Sequence, residues 1–340
     1  MRPTLDVESL RGNSPFAHTY SIVAFDPRTG DMGVAVQSHW FCVGSVVPWG
    51  EAGVGIVATQ SFVNPSFGPH GLKMMKKGIG PTEVVRKIIA LDKGRELRQL
   101  AVLNSNGKAA AFTGKNCVPA AGHIVGKTYS VQANMMLNEN VWPSMSKAFV
   151  RANGALAERM VTALEAAEKV GGDIRGRQSA ALLVVRGRST GNAWEDRLVD
   201  LRVDDSPEPL AELRRLLRVH RAYEHMNKGD LAIEWGDLAL ALRHYSSAEK
   251  MFPENAEMKF WHATTLVNNG RFREALPLFG EVFSENGNWR KFVKRLVPLG
   301  LLKVDEKLMK EILKQQSVVQ SRIREPPGIT LGRSLTASKK

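Results

Sequence analysis

From His18 to Ser38 the chain reads as a β-hairpin. Two runs rich in β-branched and aromatic residues flank Pro27-Arg28-Thr29-Gly30-Asp31, a turn of several residues. The first strand opens on a hydroxyl residue, Thr19. Threonine suits a strand, and most strand threonines only pack or bond locally. Were Thr19 the first residue of a mature chain, its own α-amine would take the proton from Oγ1 and make that oxygen a nucleophile.

Cys42 to Pro48 and Gly53 to Ser61 read as a second strand pair, joined by Trp49-Gly50-Glu51-Ala52. Apolar spacing then predicts helices over Gly68 to Lys77 and Pro81 to Leu91, the second opened by Pro81-Thr82-Glu83. Leu97 to Leu103 and Ala109 to Phe112 form a hairpin around Asn104-Ser105-Asn106-Gly107, and Tyr129 to Met135 is a further strand. Helices are expected over Val141 to Arg151 and Leu156 to Val170, the latter stopped by Gly171-Gly172. Ser179 to Val185 is an apolar run of strand length, and Arg197 to Val203 alternates as its partner. This order is neither the alternating βαβ of a doubly wound fold nor an all-β sandwich. It predicts an α+β domain over residues 18–206, with two stacked sheets and helices layered outside.

Beyond Glu208 the pattern turns helical, and a period of 34 relates Gly236, Ala241 and Tyr245 to Gly270, Ala275 and Phe279. Period and residue types resemble the tetratricopeptide repeat, so residues 207–314 are expected to form a helical-repeat domain that recruits a protein partner. Residues 1–17 read as a flexible leader and 315–340 as a basic disordered tail. At 340 residues the length suits one large and one smaller domain. The net charge of +13 is concentrated late: residues 288–340 hold 13 Lys and Arg against 4 Asp and Glu. Arg290-Lys291 and Lys294-Arg295 recur at helical spacing, which reads as a solvated face and argues against nucleic acid. No apolar run approaches the roughly 18 residues of a membrane span, and residues 1–18 lack the apolar segment of a secretory signal. A soluble, cytoplasmic homo-oligomer with no membrane contact is expected. Cys42 and Cys117 do not make a disulfide framework.

Gly122-His123-Ile124-Val125-Gly126-Lys127-Thr128 nearly spells a phosphate-binding loop, but it is one residue short and leads into a strand. Gly50, Gly53 and Gly55 lack dinucleotide-binding spacing. His39 and Cys42, three apart, would point to opposite faces of a strand, and His220 and His225, five apart on a helix, diverge. Neither metal nor cofactor is expected. Asp173, at the entry to a buried strand, is suited either to hold an active-site amine or to cap a loop. Gln60-Ser61 and Gln132-Ala133-Asn134 place amides at strand ends, able to meet an oxyanion or merely to satisfy loop backbone.

Residues 19–38, 43–49, 53–61 and 176–185 together closely resemble domain-of-unknown-function family 1028, the likeness covering roughly residues 18–220. That family is grouped with the N-terminal nucleophile (Ntn) hydrolases, whose fold is a four-layer αββα sandwich. The resemblance implies hydrolysis of an amide bond with Thr19 as nucleophile. It also implies Asp173 as the carboxylate opening the strand after the last helix pair, and a backbone N–H of Gly53 or Gly55 for the oxyanion. Two departures stand out: residues 43–49 hold no lysine and offer Ser45 in its place, and 18 residues precede Thr19. Some family members carry a peptidoglycan-binding segment where this chain has its repeats.

The expected function is therefore an amidohydrolase acting on a small amide, ureido or peptide-like compound. Thr19, Asp173, Gly53 and Gly55 are its catalytic candidates, with Ser38, His39, Ser45, Gln60, Ser61, Gln132 and Asn134 for substrate. The rival is a catalytically silent sandwich used for binding.

Overall fold

The structure, a computed structural model, describes residues 16–17 and 19–316. The opening hairpin forms as its pattern dictates, β2 (Thr19–Phe25) pairing with β3 (Met32–Ser38), after a short β1 (Phe16–Ala17). Then follow β4 (Pro48–Glu51), β5 (Gly55–Phe62), α1 (Phe67–Lys76), α2 (Pro81–Leu91), β6 (Arg98–Asn104), β7 (Ala109–Thr113), β8 (Gly122–Val125) and β9 (Tyr129–Ala133). The first unit continues with α3 (Val141–Arg151), α4 (Leu156–Lys169), β10 (Ser179–Val185), the short α5 (Ala193–Asp196) and β11 (Arg197–Val203). One antiparallel sheet runs β11-β10-β3-β2-β9-β8. The other runs β1-β5-β6-β7, with β4 also on β5.

The period of two in each strand sorts the side chains into layers. Val23, Met32, Val34 and Val36 of the first sheet pack against Ile56, Ala58, Ala101 and Leu103 of the second. Tyr20, Ile22, Ala24 and Ala35 point the other way, into Met145, Phe149, Met160 and Leu164 of α3 and α4. On the far face of the second sheet, Val57, Leu100 and Val102 meet Leu72, Met75, Val84 and Ile88 of α1 and α2. Each buried side chain of this size contributes about 1.5–3 kcal/mol, so both sheets are held on both faces.

The second hairpin departs from expectation. Cys42 is left-handed (φ 57°) and its N–H donates to Asp204 O, so Val43–Ser45 curl into a single 3₁₀ turn where a strand was expected. The strand begins only at Pro48 and includes Trp49, Gly50 and Glu51, assigned from sequence to the turn. Gly50 is a packing glycine: a Cβ there would stand 2.8 Å from Ile56 Cδ1. Strand β8, which sequence analysis did not find, hides in the phosphate-loop look-alike. Its Gly122 makes room for the Trp142 ring, 2.7 Å from where a Cβ would lie.

The chain divides into two compact units between Leu217 and Arg218. Helix α6 (Pro209–Glu234) starts in the first, where Leu210, Leu213 and Leu217 complete the α3/α4 core. The second unit holds the rest of α6 with α7 (Leu238–Met251), α8 (Ala256–Asn268), α9 (Phe272–Glu285), α10 (Asn288–Leu296) and α11 (Glu306–Leu313). The 34-residue period has a structural counterpart. Gly236 and Gly270 are both left-handed (φ 76° and 74°), and each ends a helix with the next N–H reaching back five residues, Asp237 to Ala232 O and Arg271 to Leu266 O. Ala241, Ala275, Tyr245 and Phe279 are all buried. Among the described residues no helix is long and apolar enough to cross a membrane. The expected leader lies outside the described residues except for Phe16–Ala17, and the expected tail except for Gln315–Gln316.

Candidate active site

At one end of the sandwich the facing sheets exchange apolar for polar side chains. Thr19 is paired across the ladder with Ser38, and Ser38 with Ser179. All three are fully buried, on the same strand faces as the inter-sheet valines. On the other flank of β2, the Asn134 N–H donates to Thr19 O at 3.1 Å.

A hydrogen-bonded cluster spans the two sheets behind this row. Ser21 Oγ donates to Gln60 Oε1 (2.6 Å) and accepts from Gln132 Nε2 (2.6 Å), whose Oε1 accepts from Ser130. Gln60 Nε2 donates to Gln99 Oε1 (2.6 Å) and to Thr19 O (3.2 Å); Asn134 Nδ2 reaches the same two oxygens at 2.9 and 3.2 Å. Gln99 Nε2 in turn donates to Ala133 O and Thr113 Oγ1, both at 2.9 Å. The Thr19 carbonyl thus receives three donors, and the start of β2 is fixed to its neighbours. Gln60 and Asn134 spend their donors on Thr19 and Gln99, so they position the residue proposed from sequence as the nucleophile, where an oxyanion contact was expected of them.

Asp173 is brought to the same end. It bridges to Met136 beyond β9, and its carboxylate accepts from the His39 N–H beyond β3 at 3.4 Å. Because β2 lies between β3 and β9, a residue held at both exits lies at the same end of the sheet as the start of β2. Arg175 binds the same carboxylate through its N–H, Nε (3.0 Å) and Nη2 (2.7 Å). Tyr20, next in β2, donates its hydroxyl to Glu168 on α4 at 2.7 Å, and burial followed by that carboxylate pushes its phenol well above the usual range.

Unusual backbone and unpaired polar atoms gather here too. Ser61 and Met135 have φ of 73° and 60°, and each directly follows an amide residue that holds Thr19. Strain of this kind costs about 1–3 kcal/mol per residue and concentrates at functional sites. Both amide atoms of Gln37, and Nδ1 of His39, are buried without a hydrogen-bond partner among the described residues.

Other residues proposed from sequence lie elsewhere. Ser45 is exposed, and its hydroxyl donates to Cys42 O within its own turn. Gly53 and Gly55 sit at the opposite end: Gly53 N–H donates to Arg186 O, and Gly55 is five residues, about 17 Å, along β5 from Gln60. Gly55 has a packing reason, since a Cβ there would stand 2.4 Å from Leu103 O. The structure therefore does not bring these glycines to Thr19. Conversely, sequence analysis passed over Ser21, Gln99, Thr113 and Ser130, and met His123 only within the rejected phosphate-loop look-alike. Their signal was a polar residue at an inward position of an otherwise apolar strand, as at Gln99 between Arg98 and Leu100. Among the described residues, no group of three or more His, Cys, Asp or Glu is placed to hold a metal ion, and Cys42 and Cys117 are free thiols.

His123 closes the cluster, its Nδ1 2.8 Å from Thr113 Oγ1. Burial pushes its imidazole below the ordinary 6.5. The unfolded chain therefore takes up this proton as pH falls through about 6.5, the folded chain only at lower pH, and stability drops with acidification between those two points. Urea unfolding at pH 7.5 and 5.5 is expected to show this loss, at most about 1.4 kcal/mol per pH unit for one proton. His123→Gln should lose less over the same interval; an equal loss would place the titration elsewhere.

The model of a family of unknown function, DUF1028, matches residues 19–213. Among solved structures, the chain is similar to protein SPO2555 from Silicibacter pomeroyi, described as DUF1028, with a TM-score of 0.54 and 32% sequence identity. The likeness covers 59% of this chain and 85% of that one. No curated protein matches. With more than half of its length matched by the family model, and the match opening on Thr19, the chain belongs to the DUF1028 family.

Proposed function

We propose that the first unit is an amidohydrolase of the Ntn class, cleaving an amide bond in a small amide, ureido or peptide-like compound with Thr19 as nucleophile. The observation that carries this reading is a buried threonine at the start of a central strand, its carbonyl held by three donors, with the Asp173 carboxylate anchored at the same end of the sheet. The layer order of helix pair, sheet, sheet and helix pair supports an Ntn-type sandwich, and the strained Ser61 and Met135 support a site at this end.

In this scheme the chain is cut between His18 and Thr19, and the freed amine takes the Oγ1 proton as Oγ1 attacks the substrate carbonyl. The tetrahedral intermediate collapses to an ester on Thr19, and the leaving amine departs with the proton from the ammonium. Water, deprotonated by the same amine, then hydrolyses the ester. Asp173 steadies the ammonium, and the Gln60–Gln99–Asn134 cluster holds the strand start still. The oxyanion is met by groups other than Gly53 and Gly55. Intact mass together with an amide-substrate screen tests the scheme. Turnover is expected from a chain beginning at Thr19, and a chain that turns over substrate with its Thr19 nitrogen still in a peptide bond would overturn it.

A silent binding sandwich is favoured by one observation: Ala17 pairs with Ser61 in the second sheet while Thr19, two residues on, is fully buried in the first. In that reading the helical unit does the work. Its tetratricopeptide-like caps at Gly236 and Gly270, and a groove of about 740 Å³ flanked by Arg243, Lys250 and Arg271, support a role in protein interaction.

A further inference from the structure

The helical unit contains a corner of aromatic rings that its own packing leaves partly open. Glu257 and Trp261 lie one turn apart on α8, and Trp289 and Phe292 lie on one face of α10. With Asn286 and Asn288 they line a cavity of about 350 Å³. Phe292 meets Trp261 edge-on, at 6.2 Å between centroids and 90° between planes, and Trp289 at 5.7 Å and 74°. Phe292 keeps 37% of its surface exposed. Rings at such angles wall the cavity on more than one side. One wall is charged: Glu257 Oε2 accepts the Tyr223 hydroxyl at 2.9 Å, which fixes the carboxylate at the cavity. The unit's own cations do not fill the box, since the cation–π contacts among the described residues are Arg159 on Phe149 and Arg290 on Phe283.

We infer that this box binds a methylated ammonium group, quaternary or nearly so, such as a choline-like head or a trimethylated lysine side chain. Ring faces carry negative quadrupole potential and attract a cation, and Glu257 adds a full negative charge. An anionic ligand would be repelled by both. A methylated ammonium also sheds its water more readily than a bare ammonium, which suits a wall that is mostly aromatic.

The test is calorimetric titration of the full chain with choline and with its neutral isostere 3,3-dimethylbutanol, followed in parallel by the indole N–H resonances of Trp261 and Trp289. Saturable choline binding is expected, with the isostere about tenfold weaker or more, the size of one or two cation–π contacts. Glu257→Gln, half-buried and with its Tyr223 contact retained, is expected to weaken choline about tenfold while leaving the isostere unchanged. Phe292→Ala should weaken both ligands, with thermal unfolding checking that each variant is folded. Equal affinity for the two ligands would make the box a plain apolar cleft, and binding of neither, or choline affinity indifferent to Glu257→Gln, would overturn the assignment.

Discussion

Gln99→Leu is expected to lower the unfolding free energy of the first unit by about 3–5 kcal/mol, far beyond the effect of a typical surface change. Gln99 is fully buried and is the hub of the inter-sheet cluster. Its oxygen accepts from Gln60 and Asn134, and its nitrogen donates to Ala133 O and Thr113. Leucine matches its volume but removes both halves of that exchange. Each polar group then stranded without water costs about 1–3 kcal/mol, and the shared bond to Thr19 O limits the loss for Gln60 and Asn134. Urea unfolding followed by circular dichroism reads the effect. A loss below about 1 kcal/mol would mean that water or rearranged amides replace the hub, and that the cluster does not hold Thr19 in place.

That cluster also marks where sequence reasoning reached its limit. Elements set by local pattern were legible: α2, α3, β10 and β11 lie at their expected positions, because proline starts, helical spacing and strict alternation are local signals. The Cys42–Glu51 stretch was not, because the left-handed Cys42 and the strand glycine Gly50 answer to Asp204 and Leu183, partners remote in sequence. The site divided in the same way. Thr19, Ser38, Gln60, Asn134 and Asp173 were named from sequence and stand at one end of the sandwich, since strand ends and a shared register put them there. Gly53 and Gly55 came only from resemblance, and the length of β5 separates them from Thr19. Gln99 went unseen because one polar residue in an apolar strand acquires meaning only from what faces it, and Ser21, Thr113 and Ser130 share that anonymity.

Thr19→Ala is expected to abolish amide hydrolysis, with kcat reduced at least about a thousandfold, whereas Thr19→Ser should retain a measurable fraction. The comparison isolates the hydroxyl, because alanine and serine both leave the backbone carbonyl available to Asn134 and Gln60. Losing a buried methyl and hydroxyl costs stability as well, so unfolding curves of both variants must accompany the kinetics. If Oγ1 also cuts the bond before it, Thr19→Ala will keep residues 1–18, visible as a heavier intact mass, while Thr19→Ser will shed them more slowly than wild type. A lost activity that returns in a Thr19→Ala chain produced to start at residue 19 would assign the hydroxyl to maturation alone. Wild-type kcat in Thr19→Ala would remove it from the chemistry, leaving the buried row Ser179–Ser38–Thr19 as architecture and the open surfaces of the helical unit as the part of the molecule that acts.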